Sequence, residues 1–279
     1  MLRLTAAPRF QIPSRHLIPL RQSSAPRTRV TLFMAKPTQS LEQFIAGISF
    51  RYVQPEQRLP RGHGGLRTFL RWFGIYLDVL NTGLPLEDLA VRRRLQQLCR
   101  IPRMSTLAVG AIVNHAVSLM PESEAYLNIG VWNGFTLLSG VAGNPDKTCI
   151  GVDNFCKFGG PRDAFRQRFD RCRGPRHHFY DLDYAEYFRT VHRETLGVYY
   201  FDGPHTYEHQ FNGLRLAEPF FAPDGVVLVD DTNGDAARRG TLDFLAQSAR
   251  RYQMLLDQRT SRNCHPTFWN GLMIFRRVS

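Results

Sequence analysis

Two hydrophobic rhythms divide this chain. From residue 41 to about 120, apolar positions recur at three- and four-residue spacing, which predicts helices. Leu66 to Leu80 is dense in apolar and aromatic residues. Leu86, Leu89, Val91, Leu95 and Leu98 continue the pattern, with Arg92, Arg93 and Arg94 on the polar side. That arginine run reads as a solvated helix face. Thr106 to Met120 predicts another helix, ended by Pro121. The Phe69–Leu80 face is more apolar than a solvated helix requires, so it is expected to be buried. The segment 41–104 is accordingly expected to form a lid over a substrate or a homo-oligomer interface.

From Glu124 the rhythm changes to short apolar runs alternating with amphipathic stretches. Strands are expected at Ala125–Val131, Thr148–Asp153, His177–Asp181, Val198–Phe201 and Val226–Val229. Helices should follow them at Asn133–Val141, Pro161–Arg171, Tyr184–His192, Tyr207–Phe220 and Ala236–Arg250. Pro223-Asp224-Gly225 is turn chemistry before the fifth strand. Two late strands, Tyr252–Gln258 and Phe268–Arg276, have no long helix between them and should pair antiparallel. The alternation predicts an α/β fold, a mostly parallel sheet with helices on both faces, preceded by a helical region. The organisation expected is thus a segment 1–40, a helical region 41–104 and an α/β domain 105–279.

Charge refines this picture. The formal net charge is +12, but residues 1–100 carry 16 Lys+Arg against 5 Asp+Glu, and the remainder carries 20 against 19. The α/β part is nearly neutral, which argues against a nucleic-acid substrate, since such proteins concentrate a basic face on the binding domain itself. Residues 1–41 hold seven basic residues and no acid. Three readings stay open for them: an organelle targeting segment, a disordered basic tail, or a leader upstream of a start at Met34. A cytoplasmic location is the default otherwise. No apolar run approaches the roughly 18 residues of a membrane span. The five cysteines form no CxxC pair, so neither a zinc ribbon nor a disulfide framework is expected.

The candidate chemistry lies at strand ends. Asp202-Gly203-Pro204-His205 closes the fourth strand, and Asp230-Asp231 closes the fifth, 28 residues further on. In an open α/β sheet the carboxyl ends of neighbouring strands share one crevice, where ligands bind. Three carboxylates meeting there repel one another unless protons or a cation intervene, so a divalent metal is expected. The first strand runs into Asn128-Ile129-Gly130-Val131-Trp132-Asn133-Gly134. Gly130 and Gly134 permit a tight turn and a close ligand approach, and the following helix presents free N–H groups. Asp153 ends the second strand 23 residues after Gly130, followed by Asn154, where an acid can accept hydrogen bonds from ribose hydroxyls. Trp132 reads as a wall beside that ligand, and Tyr207 and His209 as packing or rim residues.

With these motifs in view, the chain resembles class I S-adenosylmethionine-dependent methyltransferases, especially the macrocin-type sugar O-methyltransferases. The resemblance covers roughly residues 105–278. It rests on Tyr126 to Gly134, Gly151-Val152-Asp153, Phe201-Asp202-Gly203-Pro204-His205-Thr206-Tyr207 and Val229-Asp230-Asp231, the last two being the more specific. It implies a Rossmann-like, seven-stranded sheet with an antiparallel last strand. It also implies O-methylation of a small molecule with vicinal hydroxyls, whether sugar, polyol or phenol. The cofactor would lie against Asn128, Gly130, Val131, Trp132, Asn133, Gly134, Asp153, Asn154 and Asp202. Magnesium would be held by Asp202, Asp230 and Asp231, with Asp202 and His205 as the catalytic pair. Asn128 departs from the family, which usually has an acid there to anchor the methionine end of the cofactor.

Two other readings compete. A degenerate methyltransferase fold serving as a binding or scaffold protein is kept in view by Asn128 and the helical first hundred residues. His205-x-x-Glu208-His209 matches an inverted zinc-hydrolase motif, but Gly203-Pro204 should place His205 at a helix entrance, not inside the helix.

Overall fold

The computed structural model describes residues 39–278. The expectations for residues 1–38, targeting segment or tail, lie outside the described residues. The described chain runs α1 (Leu41–Gly47), β1 (Ser49–Phe50), α2 (His63–Trp72), α3 (Leu77–Asn81), β2 (Thr82–Gly83), α4 (Leu89–Leu98) and α5 (Leu107–Leu119). It continues with β3 (Ala125–Ile129), α6 (Phe135–Val141), β4 (Thr148–Val152), α7 (Arg162–Cys172), β5 (His177–Tyr180) and α8 (Tyr184–Thr190). Last come β6 (Leu196–Phe201), α9 (Tyr207–Ala217), β7 (Phe221–Asp230), α10 (Asp235–Gln247), β8 (Arg251–Gln258) and β9 (Leu272–Val278).

Seven strands form one sheet in the order β5-β4-β3-β6-β7-β9-β8. The first five pair in parallel, and β9 joins antiparallel to both β7 and β8. This is the expected mostly parallel, seven-stranded, Rossmann-like sheet. Its central strands are buried on both faces, which is why their sequences are nearly continuous apolar runs. Alternate residues serve opposite layers. Tyr126, Val198, Tyr200 and Leu228 pack into a core under α5 and α6. Ala125, Leu127, Tyr199, Phe201 and Val227 pack into the other, with Tyr187, Leu214 and Phe244. A fully buried side chain of this size contributes about 1.5–3 kcal/mol, so the crevice rests on a stiff platform.

Local differences from the predicted boundaries have simple causes. The run Leu66–Leu80 is broken after Trp72, because Gly74 adopts φ +70° and stops the helix as left-handed glycines do. Pro223-Asp224-Gly225 lies inside β7, where the β6 pairing jumps from Leu196↔Phe221 to Val198↔Val226. The turn chemistry therefore makes an irregularity within a strand and not a boundary. The last strand begins at Leu272 and not at Phe268, since Trp269 (φ 56°) and Gly271 (φ 89°) turn the chain first.

The N-terminal helices join the first core through Leu41, Phe44, Val91, Leu95 and Cys99. α2 is inverted in polarity. It has no buried residue, and Leu66, Phe69, Trp72 and Phe73 are all exposed. The expected burial of this face is thus not provided among the described residues. Arg92 donates to the carbonyls of Leu84 and Leu86, while Arg93 and Arg94 face solvent. All five cysteines are free thiols. Among the described residues no helix is long and apolar enough to cross a membrane.

Candidate active site

Parallel register brings the ends of β3, β4, β6 and β7 to one edge: Ile129 pairs with Val152 and Phe201, and Phe201 with Val229. The chain leaves β3 through three left-handed residues within five positions, Gly130 (φ 78°), Trp132 (φ 44°) and Gly134 (φ 93°). At Gly130 a Cβ would lie 2.0 Å from the Asp202 carbonyl oxygen, so only glycine lets the two strand exits approach this closely. Trp132 has no such licence, and a bulky residue at positive φ is held there by its surroundings. Its N–H donates to Asp153 Oδ2 at 2.8 Å, and its indole donates to the Phe158 carbonyl at 3.0 Å. Asp153 also accepts from the Phe155 N–H at 2.7 Å. Each Asp153 oxygen thus caps backbone and retains a lone pair for a further donor.

Asn128 is fully buried. Its Oδ1 accepts from the hydroxyls of Thr136 (2.7 Å) and Tyr126 (3.3 Å), and its Nδ2 donates to the carbonyls of Ile129 and Gly130. The side chain therefore ties the glycine turn to α6. A carboxylate here would have to face two carbonyl oxygens. Asn133 is buried and accepts from Arg168 at 2.7 Å, Val131 is buried, and Asn154 accepts from the Cys156 N–H.

Asp202, His205 and Asp231 converge. Their ligand atoms lie within 4.8 Å of one another. His205 Nε2 is 2.7 Å from Asp231 Oδ2 and 3.6 Å from Asp202 Oδ1. Asp230 is placed differently. Its carboxylate turns into the sheet and accepts from the Tyr200 hydroxyl (2.6 Å) and the Asp231 N–H (2.8 Å). The structure brings together two of the three predicted metal ligands and puts His205 where Asp230 was expected. Asp231 is held at φ 59°, and Asn270 donates to its Oδ1 at 2.5 Å. Tyr200 and Asn270 were not singled out from sequence, because each meets its partner from at least thirty positions away.

The electrostatics follow from burial and crowding. Burial, then the charges of Asp230, Asp231 and Asp153, push the Asp202 carboxyl well above the ordinary range. Burial and Asp231 raise Asp230 to about 7. Burial opposes the charged form of His205, but the hydrogen bond and charge of Asp231, with Asp230, outweigh it and raise its pKa. The crevice thus carries more negative charge than it can stabilise alone. The carboxylates of Asp202 and Asp231 at this spacing suit a hard divalent cation, which prefers oxygen ligands, with the His205 imidazole beside them.

A stability prediction arises here, with a sign opposite to the usual carboxylate behaviour. Between the unfolded pKa of Asp230 and its folded value of about 7, the folded state binds more protons than the unfolded one, so stability falls as pH rises through that window. A raised His205 acts in the same direction, its contribution being lost as pH rises through the folded pKa. In chelator-treated protein the melting temperature should fall from pH 5.5 to 8, and Asp230→Asn should flatten that slope. A melting temperature that climbs over this range would contradict the assignment.

The other histidine motif does not assemble. Thr206 caps α9, which leaves His205 outside the helix, and Glu208 is exposed in the first turn. His209 Nδ1 pairs with the Tyr184 hydroxyl at 2.9 Å. Tyr207 donates to Asp243 at 2.9 Å and stacks on Phe211.

Known proteins share this architecture. A family model described as a methyltransferase domain matches residues 127–232, the stretch from β3 to the end of β7. No curated protein matches the chain. Among solved structures, an O-methyltransferase from Bacillus cereus in complex with S-adenosylhomocysteine is 14% identical, with a TM-score of 0.52, covering 77% of this chain and 97% of that one. A methyltransferase of Podospora anserina, bound to S-adenosylhomocysteine, is 13% identical with a TM-score of 0.52, covering 80% and 99%. A TDP-rhamnose 3'-O-methyltransferase of calicheamicin biosynthesis is 15% identical with a TM-score of 0.51, covering 79% and 96%. A methyltransferase-domain model thus matches residues 127–232, and the described chain shares the fold of the methyltransferases it resembles.

Proposed function

We propose that the protein transfers a methyl group from S-adenosylmethionine to an oxygen of a small molecule with neighbouring hydroxyls, assisted by a divalent cation, most simply magnesium. The observation that carries this reading is the convergence of Asp202, His205 and Asp231 beside the Gly130 turn. Two of the similar structures hold S-adenosylhomocysteine, and one acts on a sugar hydroxyl.

Bound S-adenosylmethionine would supply an electrophilic methyl, and a divalent cation would lower the pKa of the acceptor hydroxyls. The chain's own residues do the rest. Asp202 and Asp231 would hold the cation. Asp153, with Asn154 and the turn Val131-Trp132-Asn133, would border the cofactor, and Gly130 and Gly134 let that turn pack closely on Asp202 and Phe165. His205 would take the acceptor proton on Nε2. While that nitrogen bonds Asp231 at 2.7 Å it retains a proton. Once the charge of Asp231 is engaged elsewhere, the imidazole is released to act as base. Holding methyl and oxygen in line is worth roughly 7–11 kcal/mol.

The competing reading, a methyltransferase fold kept as a binding module, is favoured by Asn128, whose polar atoms are all spent inside the protein. Calorimetry with S-adenosylhomocysteine separates the two. Saturable heat with micromolar affinity is expected, and its absence at millimolar ligand would remove the methyl-transfer reading.

A further inference from the structure

A second cluster lies between α2, the start of α5 and the loop before β9. Arg67, Arg71 and Arg103 line one small cleft with Tyr76, Ser105 and Trp269. Arg67 lies over the Trp269 ring at 4.4 Å, and Arg71 and Arg103 over Tyr76 at 5.7 and 5.4 Å. Asp78 is the acid of the cleft. Both of its oxygens meet Arg103 at 2.6 Å, and it also accepts from the Leu107 N–H. His265 is turned to Thr267 and the Gln57 carbonyl, and burial holds its pKa low. Three guanidinium groups against one carboxylate leave two positive charges uncompensated.

Their donors are also underused. Among the described residues Arg67 and Arg71 reach only carbonyls at 3.4 Å, and the buried Nε atoms of Arg67 and Arg103 have no partner. Ser105 is 5% exposed and its Oγ, in the cleft wall, is unpartnered. Helices ordinarily give arginine to water and apolar side chains to the core. α2 does the opposite, turning Arg67 and Arg71 inward and Phe69 and Trp72 outward. Burial, with the charges of Arg103 and Arg67, holds Arg71 below its usual value.

We propose that the cleft formed by Arg67, Arg71, Arg103 and Ser105 binds an oxyanion, a phosphoryl or carboxylate group carried by the methyl acceptor. Two spare charges and a fork of unpaired N–H groups match such a group, which arginine binds bidentately. The link to the acceptor is Trp269: its ring floors the cleft, and its neighbour Asn270 donates directly to Asp231. The free space is about 10 Å³, enough for one water-sized sphere. The anion therefore enters by parting Arg67 and Arg71, both half-buried on a helix without core contacts. Identifying the ligand as the acceptor rests on the methyl-transfer reading, whereas anion capture does not.

The test is calorimetry on the full chain at constant ionic strength, titrating inorganic phosphate and, separately, acetate. Arg67→Gln and Arg71→Gln are compared with the parent, and S-adenosylhomocysteine is titrated in parallel. Phosphate should bind with a dissociation constant on the order of 1 mM, and each substitution should weaken it by about ten- to a hundredfold. The same pattern with acetate alone would assign a carboxylate. Neither anion binding, or binding that both variants retain, overturns the proposal. Arginine-dependent phosphate binding by a protein that ignores S-adenosylhomocysteine would uphold the anion site and remove the methyl-transfer reading. Thermal melts of both variants within a few degrees of the parent establish that they fold.

Discussion

Asp202→Ala is expected to lose methyl transfer beyond detection, a fall of more than about 10⁴-fold, while His205→Ala retains measurable turnover. The difference follows from what each side chain controls. In the proposed mechanism His205 moves one proton, and a positioned base typically supplies about 10²–10⁴-fold. Asp202 sits where the two halves of the site meet. Its N–H donates to the Ile129 carbonyl at 3.0 Å, its own carbonyl closes on Gly130, and its carboxylate faces His205 at 3.6 Å. On the proposed mechanism, losing it would remove a ligand for the cation and a border of the cofactor together. Alignment, worth more than the base, is then lost. The measurement is the initial rate of S-adenosylhomocysteine formation with an acceptor bearing vicinal hydroxyls, with and without magnesium. Asp231→Ala should fall nearly as far while keeping cofactor affinity, since on the proposed mechanism Asp231 would hold the cation and not the cofactor. An Asp202→Ala enzyme working at the parent rate would remove the metal-assisted mechanism.

Much of this arrangement is written locally in the chain. Strands buried on both faces must be short apolar runs, so β3, β4, β6 and β7 stand out, and their ends fix where Asp153, Asp202 and Asp231 emerge. The antiparallel ending is legible because no helix separates β8 from β9. What local pattern does not carry is the direction of a side chain once it leaves the strand. Asp230 and Asp231 are adjacent, yet Tyr200 draws the first into the sheet while Asn270 holds the second toward His205. Asn128 reads as a cofactor contact by position, but Thr136 and Tyr126 claim its oxygen. The inward arginines of α2 are invisible for the same reason. Periodicity gives the two faces of that helix, and only the tertiary partners Trp269 and Ile101 decide which face turns in.

Asp78→Ala should cost about 3–5 kcal/mol of folding stability, the largest single-residue loss expected outside the sheet. Asp78 and Arg103 are both nearly buried, at 8% and 6% exposure. The carboxylate holds the guanidinium through two contacts at 2.6 Å and also accepts the first N–H of α5 at 2.9 Å. Truncation leaves a buried cation without its counter-charge and a helix start without its acceptor, and breaking such a pair on one side costs more than the pair itself contributes. Arg103 keeps only the Cys99 carbonyl and the faces of Tyr76 and Phe135. Urea unfolding should show the midpoint falling with little change in slope. Replacing both partners, as in Asp78→Leu with Arg103→Met, should recover much of the loss, because the cost lies in the orphaned charge and not in the missing attraction. If the single and double variants are equally unstable, the pair is stabilised by its shape in the core and the electrostatic account fails.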